Sequence, residues 1–595
     1  MTFLKRFGGV KVALIGIVAA AVVGYAGYRL IFARTGEAAA ALIPADASVV
    51  VTLDTHPSQS QLAAFTTLSN ALKREGLDTE MEKGVNDIIG KAGLADEVRQ
   101  YLTHNLASAW WSTPNQPNGP TGIVLLSISN PDAVSKLIAT GKAVEGGDVA
   151  AYSFGNEEAI VAVVGDYLAI SKDVATLKKV VATKNGAPSI IGERRYQEAR
   201  AALPEDANLM VFVSPSALTE FVGPKGTDMY MAYGASLRSS GIQFDYRGPV
   251  DKKTYPALAN LSEMAAIDPN LLKKLPPDAL GLIAQGSLDK YANSLKSTAE
   301  VMTDASSFNR DLTQFEKETG ISMENDVLPA FRGDTVLAVY PDRTSTATVD
   351  ALMLIDTANG GNPAPLFEKF RAFIERKSAE EAAKHPGKAV KFVESKVGKT
   401  TIWKMDDASL AEFRKGLGTT TDTTGQSVPN PYFTDKSISF AVSDGSVIVA
   451  TSDAMMGKAL ITLGGDRSLA DDQAFMDMIA RTTDQDQFIF MCALSRVLEH
   501  FREDLQETMK SSKFTMDDVI ALFGGPNTGM VGSYHIKKDA VQGSFFLPLD
   551  YDRLAKVIRG LREKSEEPAK ESTPIREIPS GVSDSPPMPG TMQVR

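Results

Sequence analysis

Apolar residues along this chain are grouped in ways that predict different elements. One uncharged run, Val12 to Tyr28, extends through Leu30-Ile31-Phe32 if Arg29 snorkels. It has roughly the 20 residues needed to cross about 30 Å of hydrocarbon. Elsewhere the apolar runs are short: Ala107 to Ser112, Gly122 to Ile128, Ala159 to Val164, Tyr167 to Ser171, and counterparts further on. Tight-turn signals, Val164-Gly165-Asp166 and Ser443-Asp444-Gly445, separate several of them. An Asp-Gly between two such runs marks a hairpin, and strands so joined are antiparallel. Helical spacing appears between the strands, at Asp132 to Gly141 and Asp173 to Thr183, each with an acid near its start where it favours the helix dipole.

The same order of elements occurs twice. Leu42-Ile-Pro-Ala-Asp-Ala opens one half and Leu275-Pro-Pro-Asp-Ala the other. Each leads into an apolar run ending in Leu-Asp, at Asp54 and Asp289. GDYLAISKDVATLKKVV from Gly165 matches GSVIVATSDAMMGKALI from Gly445. NLMVFVSPSALTEF from Asn208 matches QFIFMCALSRVLEHF from Gln487, and both halves close on a Gly-started β pair, Gly234 to Tyr246 and Gly532 to Phe546. Preserved order across several blocks indicates tandem duplication into long units rather than a solenoid. The second copy carries insertions. One is the helix Pro365 to Lys384, with Leu366, Phe367, Phe370, Phe373 and Ile374 on one face. The other is the Thr-, Gly- and Pro-rich stretch Gly416 to Asp435, which reads as a long mobile loop.

The expected architecture is therefore α+β: two tandem related domains, each a mostly antiparallel sheet with helices packed on one face, preceded by one transmembrane helix. The divisions are a cytoplasmic N-terminus 1–11, an anchor 12–32, repeat one 40–250, a linker 251–270 with a short helix at Tyr255 to Ala266, repeat two 271–552, and a Pro-rich disordered tail 564–595. Within that tail, Pro586-Pro587-Met588-Pro589 suits an extended binding form.

Charge adds an orientation. Lys5, Arg6, Lys11, Arg29 and Arg34 are the only charged residues among the first 35; with the whole chain at −11, the remainder carries −16. The cation bias favours an N-terminus in the cytoplasm and the bulk outside, a single-pass arrangement in a cytoplasmic membrane. An alanine run, Ala38 to Ala41, offers a signal-cleavage alternative, but the apolar run is longer than a signal core. The acidic remainder repels phosphate backbones, so nucleic acid is a poor partner.

No constellation of reactive side chains emerges. The histidines, His56, His104, His385, His500 and His535, share no metal-ligand spacing, and no paired CxxC or EF-hand loop exists. Gly398-Lys399-Thr400 ends like a phosphate loop, but the required upstream glycine is Val393 and no helix follows. The glycines of Gly524 to Gly529 suit a turn. Ser287-Leu-Asp-Lys290 fits SxxK without its companion motifs. Asp173 and Asp453 recur in both halves and suit capping. Cys492, the sole cysteine, lies in an apolar run and suits a small buried hydrophobe. Trp110 and Trp111 should point to opposite faces of a strand, one into the core. No catalytic, cofactor-binding or metal-ligating residue is assigned, and no cofactor is implied.

The uncharged run, the opening LIPADASVVVTLD and the block GDYLAISKD together resemble an uncharacterised family of bacterial membrane-anchored extracytoplasmic proteins, a domain of unknown function. The resemblance implies an envelope location and carries over no catalytic residue. The leading expectation is a non-enzymatic envelope protein whose duplicated ectodomain binds or scaffolds a partner. The alternatives are a carrier or sensor of an apolar ligand such as a lipid, and a hydrolase whose site is invisible in sequence.

Overall fold

The computed structural model describes residues 36–53, 59–77, 96–111, 121–145, 149–154, 159–221, 229–250, 261–287, 290, 305–330, 333–342, 349–356, 363–384, 392–405, 419–421, 427–429, 438–443, 445–508, 515–525, 528–537 and 540–566. The strands of the first half are β1 (Val49–Leu53), β2 (Leu102–Trp111), β3 (Thr121–Ile128), β4 (Lys142–Val144), β5 (Ala151–Ser153), β6 (Ile160–Val164), β7 (Tyr167–Ser171), β8 (Leu209–Val213), β9 (Met231–Arg238) and β10 (Gly241–Pro249). Those of the second are β11 (Gly281–Gln285), β12 (Thr335–Pro341), β13 (Val349–Asp356), β14 (Phe392–Val397), β15 (Thr400–Met405), β16 (Thr419–Thr421), β17 (Ser427–Pro429), β18 (Ser439–Ser443), β19 (Ser446–Ala450), β20 (Phe488–Cys492), β21 (Met530–Ile536) and β22 (Ala540–Pro548).

Pairing gives the first half the spatial order β4-β5-β6-β7-β3-β2-β1-β8-β9-β10, all antiparallel. The second half repeats it as β14-β15-β18-β19-β13-β12-β11-β20-β21-β22. The duplication extends to individual hydrogen bonds. The carbonyl of Ile43 accepts from Ile190 N–H at 2.8 Å, and that of Leu275 accepts from Leu469 N–H at 2.8 Å. Ile190 and Leu469 each begin a short 3-10 turn, after Ser189 and Ser468. The turn glycines Gly165 and Gly445, with φ of 61° and 70°, connect β6 to β7 and β18 to β19, where a left-handed backbone favours glycine.

The expectation of two separate domains does not hold. β10 and β22 pair antiparallel along their full length, from Gly241 opposite Pro548 to Pro249 opposite Ala540. This closes the two halves into one 20-stranded sheet. The cause is backbone chemistry: each half ends on an open strand edge, and unpaired N–H and C=O groups are best satisfied by another edge.

The expectation of helices on one face also fails. In the first half Leu177 and Val180 of the helix Val174–Lys184 pack with Ala109, Leu125 and Ala169. Val134 and Ile138 of Pro131–Ile138 pack with the alternate residues Leu126, Leu168 and Ile170, on the opposite face. β7 is buried at every position as a result. The second half places Met455, Met456 and Ala459 of Asp453–Leu463 over the face bearing Leu352 and Ile448. Helix Gln59–Arg74 and helix Tyr551–Glu566 cross the seam together, joining Phe65, Leu68 and Leu72 to Leu237, Ile242, Tyr551 and Ala555. The latter helix includes residues 564–566, assigned to the tail on sequence; the rest of the tail lies outside the described residues.

Among the described residues no helix is long and apolar enough to cross a membrane. The run 12–32, read as a transmembrane helix, lies outside them, as do residues 255–260 of the helix expected at Tyr255 to Ala266; of its described remainder only Leu261 is helical. The insertion helix Ala364–Lys384 forms where its apolar spacing placed it. The stretch read as a mobile loop holds the short antiparallel pair β16–β17.

Candidate functional site

Directly paired residues of antiparallel strands lie on the same face. Register alone therefore defines what the seam displays. On one face a row runs Val51, Val211, Tyr233, Tyr246, Gly543, Tyr534, Phe488 across β1, β8, β9, β10, β22, β21 and β20. At about 4.8 Å per strand, Tyr233 to Phe488 spans roughly 19 Å. Phe488 and Tyr534 stack with ring centroids 4.9 Å apart. The Tyr246 ring occupies the space that a side chain at Gly543 would fill, 2.4 Å from an ideal Cβ there. Burial, then the neighbouring Tyr534, Tyr233 and Asp486, pushes the Tyr246 hydroxyl well above its ordinary range.

A parallel row runs Phe244, Phe545, Gly532, Phe490, Ile283, Leu337 and Met353; Phe244 packs against the helices that cross the seam, and the row opens towards Ile283 and Leu337. Tyr233, Ile283 and Leu337 are 40%, 40% and 43% exposed. Those values are large for apolar groups in the middle of a sheet, where helices normally cover them.

The opposite face of the seam is polar at its centre, between the buried Phe546 and the end of the strands. Asp245 and Ser544 face one another. The Asp245 Oδ1 accepts from Gln243 Nε2 at 3.4 Å, and its Oδ2 is buried without a hydrogen-bond partner. Burial pushes its carboxyl up to about 6, against the opposing pull of Gln243 and Arg238. Arg238 pairs with Asp206, and Arg481 lies 3.7 Å over the Phe546 ring while its Nη2 donates to Ser240 Oγ at 3.3 Å.

At the end of β21, His535 Nδ1 lies 3.2 Å from buried Asp486 Oδ1, and Nε2 lies 3.2 Å from Gln542 Oε1. Burial raises the Asp486 carboxyl, but hydrogen bonds from His535, Thr483 and Ser533 outweigh it and hold the group below the usual carboxylate range. A cavity of about 500 Å³ opens beside this pair, lined by Ser262, Asp484, Gln485, Gln487, His535 and Lys537 among others. A His–Asp pair resembles half of a catalytic triad, but the second ring nitrogen meets a carboxamide, not a hydroxyl or thiol.

The residues singled out on sequence are not brought together. Ser287 Oγ accepts from Ala265 N–H at 3.2 Å, while Lys290 Nζ pairs with Glu263 at 3.2 Å, so the SxxK residues face separate partners. Asp173 caps its helix, accepting from Thr176 N–H at 2.7 Å. Its counterpart Asp453 lies in the first turn, and Ser452 is the cap. Gly398 turns β14 into β15. Gly524 and Gly525 follow the helix Met516–Leu522 with positive φ. Trp111 is buried and donates Nε1–H to Asp46 Oδ1 at 2.8 Å; Trp110 is 37% exposed on the other face. Cys492 is buried, and burial pushes its thiol up to about 11. Among the described residues no cluster of His, Cys, Asp and Glu could hold a metal. The tyrosine row is not among the residues that sequence patterning singled out. Its signal was present in β9, where Met231 and Tyr233 alternate with the small Ala232 and Gly234.

A family model described as a protein of unknown function (DUF3352) matches residues 7–379, more than half of the chain, and the chain belongs to that family. No curated protein matches it. Among solved structures, crystal form I of TP0453 is similar at 11% identity, over 36% of this chain and 78% of that chain, with a TM-score of 0.21. A score that low carries no argument.

Proposed function

We propose that this DUF3352 member is a non-enzymatic binding or scaffolding protein that takes a partner on the aromatic face crossing its seam. The observation that carries the reading is the continuous row from Tyr233 through Tyr246 and Tyr534 to Phe488, bordered by exposed Ile283 and Leu337. Aromatic side chains are enriched where partners dock, because they bury much apolar area with few rotamers to freeze. The hydrogen-bonded sheet beneath holds the rings in place. For location, the uncharged run 12–32, its flanking cations and the acidic remainder support a chain held at the cytoplasmic membrane with its bulk outside.

A photo-crosslinking residue at Tyr233, Ile283 or Leu337 in the full chain tests the reading. It should yield a discrete adduct in cells, and the same residue at exposed Ile461 on a helix, or Val393 on β14, should not. Adducts of equal yield at every position, or none at any, would remove the proposal.

A further inference from the structure

The seam has a local twofold relation in its register. Ala235 of β9 pairs with Leu209 and Phe244; Tyr534 of β21 pairs with Phe488 and Gly543. Leu209 and Phe488 open the matching strands β8 and β20. Phe244 therefore corresponds to Gly543, and Asp245 to Ser544. These two corresponding residues are also the ones that face each other across the seam. The axis passes between them, so β10 meets β22 as it would meet a second β10.

The same backbone edge can thus take either of two partners: β22 of its own chain, or β10 of another copy. Backbone hydrogen bonds do not tell them apart. At the axis the side chains do. With β22, Asp245 meets the small neutral Ser544. With a second β10, Asp245 would meet Asp245 at cross-strand distance, and like charges directly opposite are destabilising. The surroundings sharpen the penalty, since Asp245 Oδ2 is already buried without a partner. Ser544, by contrast, has a neutral neighbour in Ser533, 3.4 Å between hydroxyl oxygens. A buried carboxylate that does so little for its own seam is better understood as a device against the wrong one.

We infer that Asp245 selects the partner of the β10 edge, reserving it for β22 of the same chain and excluding β10 of a second copy. The test refolds the full chain from denaturant at matched concentrations and measures mass by light scattering and stability by denaturant midpoint. D245S should raise the dimer fraction several-fold over the wild type. S544D should lower the midpoint by opposing two carboxylates, and D245S/S544D, which exchanges the residues across the axis, should recover most of that loss. If D245S does not fold, D245N takes its place in the mass measurement. A mass distribution for D245S or D245N equal to the wild type, or a double variant no more stable than S544D, would overturn the inference.

Discussion

Asn208 and Gln487 make the same hydrogen bond in the two halves. Asn208 Oδ1 accepts from Leu237 N–H at 3.1 Å, and Gln487 Oε1 accepts from Ile536 N–H at 2.7 Å. Each stands just before its strand and ties it to the hairpin that leads into the seam. Each amide nitrogen then reaches an element outside the sheet: Gln61 Oε1 at 3.2 Å, and the Met264 carbonyl at 2.7 Å. Both carboxamides are buried.

Removing either clamp strands a buried backbone N–H. Asn208→Ala and Gln487→Ala should each cost about 1–3 kcal/mol. The sites share no partner, so the double variant should sum to within about 0.5 kcal/mol. Urea denaturation of the four proteins checks both statements.

Asp245 should make stability fall as pH rises. Its folded carboxyl titrates at about 6, above the roughly 3.9 of an unfolded aspartate. Below about pH 4 it is protonated in both states and costs nothing. Between about pH 4 and 6 the unfolded chain releases the proton and the folded chain keeps it, so stability drops. Above 6 the cost is complete, at most about 3 kcal/mol. The groups that set it are Gln243 on the same strand, with Arg238 and Asp206 nearby. Asp245→Asn should therefore be more stable than the wild type at pH 8 and lose that advantage by pH 4, read from urea midpoints across pH.

Gly543→Ala should push the Tyr246 ring out of the aromatic row, at about 1–3 kcal/mol. An ideal Cβ there lies 2.4 Å from ring atoms of Tyr246. In a Tyr246→Ala background the same change should cost far less. Thermal unfolding of the single and double variants measures the coupling, and equal costs in both backgrounds would refute this contact.

Cys492 should be inert in the native protein. Burial both shields it and pushes its thiol up to about 11, so little thiolate exists at pH 8. Alkylation followed by mass spectrometry should show modification only after denaturant is added. Labelling of the native chain at the denatured rate would contradict the assignment.

Local residue choice foretold much of the fold. Gly165 and Gly445 announced their turns because glycine favours a left-handed backbone. Asp173 announced a helix start, because its carboxylate satisfies a free N–H of the first turn. The Trp110-Trp111 pair divided between faces because strand side chains alternate. The order of matched blocks foretold the repeated topology, down to the equivalence of Asn208 and Gln487.

What the sequence by itself determined, then, was the tight turns, the helix starts and the fact of a duplication, since each depends on neighbours a few positions apart or on a repeated pattern. The tertiary structure alone decided that β10 meets β22, that helices cover both faces, and that Tyr246 of one half lies beside Gly543 and Tyr534 of the other. Edge pairing is made by backbone N–H and C=O groups that all residues but proline carry, so the groups that form it do not mark the seam in a sequence. His535 and Asp486 meet for a related reason: the register of β20 against β21 brings together positions that nothing local connects.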